Sequence, residues 1–273
     1  MEDLKKFTNH HLKELFLKKK LIENYSALEI INFPNFYLAA FAAFLLGVSK
    51  SGIKGIAILI VTFLVIVYGA RASTGILMPL LLLGDVFAII YYSRFTRWKY
   101  ILKMSPWMFL GVLIGVFYGY NINEDNFRLG MAFIILSSIA MMYYWDQKKS
   151  MKVPTHWSFS GLLGLTAGFT TMIGNLAGVF TNIYFLAQKL PKNEFIGTAA
   201  WLFFIINMFK LPFHIFVWGT IQIESLKISL VLAPFVITGL YVGVKLVIII
   251  KENVYRKLIL LFTAMGALII LFQ

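Results

Sequence analysis

Between residues 34 and 272 the sequence is a near-continuous series of ten apolar segments, and that series leaves few folds open. They are A (34–48), B (55–68), C (72–93), D (100–120) and E (128–145), then A′ (158–173), B′ (176–188), C′ (195–217), D′ (225–248) and E′ (254–272). A bilayer-spanning helix needs roughly 20 apolar residues. C, D, E and their counterparts are long enough, whereas A, B, A′ and B′ are short and are joined in pairs through glycine-rich turns. The fold class expected is all-α: a polytopic membrane protein of two inverted repeats, each with a broken or re-entrant helix pair and three long transmembrane helices. Charged residues make up only 14% of the chain, against about a quarter in soluble domains. The net charge of +13 is spread between apolar runs, which argues for loops at a lipid bilayer and against nucleic acid. Cysteine is absent, excluding disulfides and thiolate chemistry.

The halves match in detail. Pro106, Gly111 and Gly115 in D recur as Pro234, Gly239 and Gly243 in D′, and the same offset carries Arg128 to Arg256. Thr74 and Thr198 correspond in C and C′. Each half has an odd number of crossings whether its short pair crosses or re-enters, so the second half is inverted relative to the first. Short glycine-interrupted segments at matching places in two such halves point to a transport site. The domain division expected is a polar amphipathic leader (1–33), a first repeat (34–146), a basic linker (147–157) and a second repeat (158–273). The leader is read as a helix on the membrane surface with no cleavable signal. Its adjacent His10 and His11 face different ways and make no metal site.

Four loops share one side under this topology: Arg94, Arg97, Lys99 and Lys103; Lys148, Lys149 and Lys152; Lys189 and Lys192; Lys251, Arg256 and Lys257. The opposite loops carry Arg71, Arg128 and Lys227, diluted by Glu124, Asp125 and Glu224. The positive-inside rule makes the first group cytoplasmic; the side of the leader stays open. Trp98, Trp107, Trp145, Trp157 and Trp218 are read as an interfacial belt.

Charge then marks the candidate site. Gly47-Val-Ser-Lys-Ser-Gly-Ile-Lys-Gly55 joins A to B and places Ser49, Lys50, Ser51, Gly52, Lys54 and Gly55 at membrane depth. Lys210 lies inside C′, with Asn207 one helical turn before it and His214 one turn after. Lys245 is near enough to a segment end to snorkel. A charge at the bilayer centre costs about 2.5–3.5 kcal/mol, so Lys50, Lys54 and Lys210 cost about 8–10 kcal/mol together, comparable with the stability of a whole domain. Asp85, in C, is the acid of the long apolar segments and sits at nearly the same place as Lys210 in C′. Either the two form a buried ion pair, or Asp85 competes with substrate for Lys210 or titrates. Lys50 and Lys54 have no evident carboxylate, leaving an incoming anion as their counter-charge. The second turn, Gly168-Phe-Thr-Thr-Met-Ile-Gly-Asn-Leu-Ala-Gly178, offers Thr170, Thr171 and Asn175 as donors, with Gly174 and Gly178 for close approach. If B and B′ begin at these turns, their free N–H groups favour an anion between them.

The first turn, Gly47-Val-Ser-Lys-Ser-Gly-Ile-Lys-Gly55, with Leu77-Met-Pro-Leu-Leu-Leu-Leu-Gly-Asp85, Arg94-Phe-Thr-Arg-Trp-Lys99, Thr198, Asn207, Lys210 and Gly219, resembles the TauE/SafE sulfite exporter family, and the resemblance covers roughly residues 36–272. The resemblance implies a multi-pass plasma-membrane carrier for sulfite or a small organosulfonate such as sulfoacetate. The second turn departs from the pattern: a denser glycine cluster followed by proline is expected, and Gly174-Asn-Leu-Ala-Gly178 is followed by Val179. The alternatives are an anion channel and a membrane scaffold subunit without transport activity. An enzyme is disfavoured, since one intramembrane carboxylate cannot form an aspartyl dyad and no His-Glu-x-x-His motif occurs. No cofactor or metal is expected. The partners are a small anionic substrate and the lipid bilayer, with proton or sodium left open as a coupling ion.

Overall fold

The computed structural model describes residues 35–120, 122–123, 126, 129–130, 133, 157–251 and 254. The expectations for the leader, segment E, Trp145, Arg128, Arg256, most of the basic linker and segment E′ beyond residue 254 lie outside the described residues.

Among the described residues there are eight α-helices: α1 (Phe36–Lys50), α2 (Ala57–Tyr68), α3 (Ala70–Tyr92), α4 (Trp98–Tyr120), α5 (Trp157–Gly174), α6 (Ala177–Ala187), α7 (Lys192–Pro212) and α8 (Ile223–Ile249). There is no strand among the described residues. Segments A to D and A′ to D′ are these helices in order. α4 and α8, and α3 and α7 with the short turns that extend them to Phe95 and Val217, are long and apolar enough to cross a bilayer. By contrast α1, at 15 residues, spans only about 22 Å of a roughly 30 Å core.

The halves interlock reciprocally. α1 lies along α8, and α5 lies along α4, while α3 and α7 cross at the centre. Small residues set both long contacts. A Cβ on Gly239 would stand 2.0 Å from the Phe44 carbonyl oxygen, and one on Gly111 would stand 2.1 Å from that of Leu165. Gly111 also faces Gly168, as Gly239 faces Gly47.

A second reciprocal device ties the start of one helix to the end of another. Arg71, at the start of α3, donates to the carbonyls of Gly119 and Ile122 at 2.9 and 2.7 Å. Lys192, at the start of α7, donates to Val247 and Ile250 at 2.9 and 2.7 Å. The four acceptors are related by the same offset as Pro106 and Pro234. Each cation meets carbonyls at or just beyond the negative end of a helix. Replacing Arg71 or Lys192 with methionine is expected to cost about 1–2 kcal/mol, read as a lower melting temperature in detergent; unchanged melting of both would show the clasps to be incidental.

These contacts sort the loops by end. Arg97 pairs with Glu194, Thr96 donates to the Gly197 carbonyl, and Lys192 reaches Ile250. Three basic loops, around 94–103, 189–192 and 250–251, therefore share one end, as charge counting predicts. Arg71, Ile122 and Trp218 gather at the other. α2 is joined to α3 at the Arg71 end through Gly69 alone, whose φ is 86°. Trp218 departs from the interfacial belt. It is 7% exposed and donates from Nε1 to the Val116 carbonyl, in space that a Cβ on Gly119 would fill at 2.3 Å.

Candidate functional site

Where the two short helix pairs turn, the chain leaves the helix through residues of unusual backbone. Gly52 and Gly55 take φ of 131° and 102°, and Asn175 takes 57°. The first two require glycine, and asparagine is among the few other residues that tolerate the left-handed region. This explains the sparser glycine of the second turn, because Asn175 both turns the chain and presents an amide. The starts of helices α2 and α6 lie against each other. A Cβ on Gly178 would stand 3.9 Å from that of Ala57. Neither helix is capped by a side chain, so their first N–H groups open toward the gap between them.

That gap holds a cavity of about 60 Å³, room for a few waters or a small ion. Of the residues singled out from sequence, Ser49, Lys50, Lys54, Gly55, Thr171, Asn175 and Asn207 line it, joined by Gly178. Ser51, Gly52, Asp85, Thr170, Gly174 and Lys210 do not. Ser51 instead donates to the Gly47 and Leu240 carbonyls, Gly52 packs on Ile196 and Val247, and Thr170 bonds back to Ala167. Asp85 and Lys210 form a layer behind the lining.

The polar groups make one connected network. Lys50 Nζ donates to Asp85 Oδ1 at 2.5 Å, and Asn207 Nδ2 donates to Asp85 Oδ2 at 2.7 Å. Lys210 Nζ donates to Asn175 Oδ1 at 2.7 Å and to Thr171 Oγ1 at 3.2 Å, and reaches Asn207 Oδ1 at 3.5 Å. Two expectations are corrected here. Lys50 does have a carboxylate, and Asp85 reaches Lys210 only through the Asn207 amide. The cause is the packing of two distant helices: α3 meets α7 so that Asp85 faces Asn207, one turn short of Lys210. Gly84 clears the path for the Lys50 stem, whose Cγ would lie 2.6 Å from a Cβ there.

The network also fixes amide orientations. A lysine only donates and a carboxylate only accepts, so Asn175 turns its oxygen to Lys210 and Asn207 its nitrogen to Asp85. Asn175 Nδ2 is thereby left buried without a partner. Lys54 Nζ donates to the Ser49 carbonyl at 3.2 Å. Lys50 and Lys54 both stand over the Phe203 ring, 5.4 and 5.8 Å from its centroid, a placement that favours cations. His214 is buried on a π-helical turn, with Nδ1 2.9 Å from Thr220 Oγ1 and its ring against Trp218. It does not line the cavity, in keeping with a packing role.

Sequence reasoning missed Asn182 and Phe203, both in the lining. Asn182 was detectable as a lone amide in the short apolar helix α6. Phe203 is one of 26 phenylalanines, with nothing in the sequence to single it out.

A helical bundle with several bilayer-length apolar helices, and with lysines and amides converging on a buried cavity between broken helices, defines a multi-pass membrane transport protein. The chain matches the family model "Sulfite exporter TauE/SafE" over residues 39–270 and belongs to that family, one of transporters and not of enzymes. No curated protein and no solved structure matches it.

Proposed function

We propose that this protein is a secondary carrier of the plasma membrane for a small oxyanion, sulfite or a compact organosulfonate such as sulfoacetate. The cargo sits in the cavity between the starts of α2 and α6. Lys54, Lys50 and the Asn175 amide are its direct donors, Ser49, Thr171 and Asn207 complete the lining, and Lys210 positions Asn175 from behind. The two repeats, 34–146 and 158–273, are inverted copies that rock about this site to expose it to either side, as in other inverted-repeat carriers. The reciprocal packing of α1 on α8 and α5 on α4 supports that relation.

The observation that carries the reading is the buried, unmatched Asn175 Nδ2 in the lining of a cavity that Lys54 also lines. Buried donors are almost always satisfied; an anion satisfies the Asn175 amide and gives Lys54, which holds only a neutral carbonyl, a counter-charge. The test has two arms. In a thermal-shift panel on purified protein, sulfite or sulfoacetate raises the melting temperature, because a ligand that binds the folded form stabilises it. In proteoliposomes, internal substrate accelerates uptake of labelled substrate, and Lys54→Gln lowers that exchange by about tenfold or more, the equivalent of 1.4 kcal/mol or more. Current without trans-stimulation would identify a channel, and a panel without any shift would remove the oxyanion site.

A further inference from the structure

We infer that Asp85 sets the valence of the cargo, so that the site takes a doubly charged oxyanion in preference to a singly charged one of the same shape. This rests on the oxyanion-carrier reading and narrows its substrate class. Three buried lysines stand at the cavity or directly behind it, Lys50, Lys54 and Lys210, exposed by 6%, 5% and 0%. Among the described residues Asp85 is the one acid in the middle of the bundle. Glu194 is paired with Arg97 at the basic end, and Glu224 lies in the first turn of α8.

Asp85 is committed. One carboxylate oxygen holds Lys50 and the other holds Asn207, and Asn207 is itself held against Lys210. Asp85 therefore neutralises one lysine and is not free to swing to a second. The hydrogen bonds of Lys54 and Lys210 go to neutral acceptors: the Ser49 carbonyl for the first, Asn175, Thr171 and Asn207 for the second. Two lysines without a carboxylate are left for the occupant, and the uncapped starts of α2 and α6 favour the same sign of ligand. Away from water an unmatched charge is far more costly than in solution. A dianion matches both lysines, while a monoanion leaves one of them uncompensated. Removing the Lys54 charge reduces the demand to a single negative charge.

Sulfite and chlorate test this directly, being isoelectronic pyramids of three oxygens that differ by one charge. Titration calorimetry on the purified full-length protein, at mildly alkaline pH where hydrogensulfite has lost its proton, is expected to show sulfite binding about tenfold or more tighter than chlorate. Lys54→Gln is expected to weaken sulfite by about tenfold while leaving chlorate within about threefold, collapsing the preference. If that variant does not fold, the wild-type preference for methylphosphonate dianion over methanesulfonate makes the same measurement. Equal affinity for the members of either pair, or an undiminished preference in Lys54→Gln, overturns the valence inference and leaves the carrier reading standing. Binding of none of these anions overturns the carrier reading itself.

Discussion

Replacing Asp85 with leucine is expected to lower the unfolding free energy by about 3–5 kcal/mol and to abolish transport. The double variant Asp85→Leu/Lys50→Met should recover most of that stability and none of the transport. The Lys50 and Asp85 side chains are 8% and 1% exposed, so removing the carboxylate leaves an ammonium with neither water nor counter-charge. It also strips the Asn207 amide of its acceptor. Removing both charges takes away the cause of the penalty, because an apolar pair of similar volume is often neutral or stabilising in place of a buried ion pair. The pair would then exist for function, at some cost to stability. Thermal unfolding in detergent, alongside exchange in proteoliposomes, measures both halves of the statement. An Asp85→Leu protein that melts with the wild type would show that Lys50 finds other compensation, and would count against the charge balance on which the valence inference is built.

The contrast between what was legible in the sequence and what was not follows from how the information is stored. Helix bounds for A to D and A′ to D′ follow from apolar length and glycine punctuation, because both are local. The grouping of basic loops at one end is equally legible, since charge side depends only on the order of crossings. Pairing at the centre is not local. Asp85 and Lys210 occupy similar places along α3 and α7, yet the crossing of those helices sets Asp85 against Asn207, and Gly84 admits Lys50 from α1. A one-turn difference in crossing decides which lysine is neutralised, and no spacing within either segment encodes it. The second turn shows the converse: the family's glycine is missing, but Asn175 adopts the left-handed backbone and supplies an amide the cavity uses. Trp218 misled because a tryptophan near a segment end resembles a belt residue, whereas Gly119 on α4 opens a buried slot for it.

Gly111→Ala and Gly239→Ala are expected to destabilise the protein by similar amounts, and their combination by about 2–6 kcal/mol, close to the sum of the two. The obstacle at each is backbone: the Leu165 carbonyl oxygen 2.1 Å from the new Cβ at position 111, and that of Phe44 2.0 Å from it at position 239. No rotamer change relieves such a contact, so each substitution must push a pair of helices apart. The parallel extends one turn on, where Gly115 faces Met172 and Gly243 faces Ser51. Gly178→Ala is the control. Its Cβ meets only the Ala57 Cβ, at 3.9 Å, and alanine is the better helix former, so its melting temperature should equal or exceed that of the wild type. The readout is the set of melting temperatures for the four variants in one detergent. If Gly111→Ala and Gly239→Ala melt with Gly178→Ala, the two long contacts are loose enough to breathe. The interlock of α4 on α5 and of α8 on α1 would then not be what holds the two halves in register around the cavity.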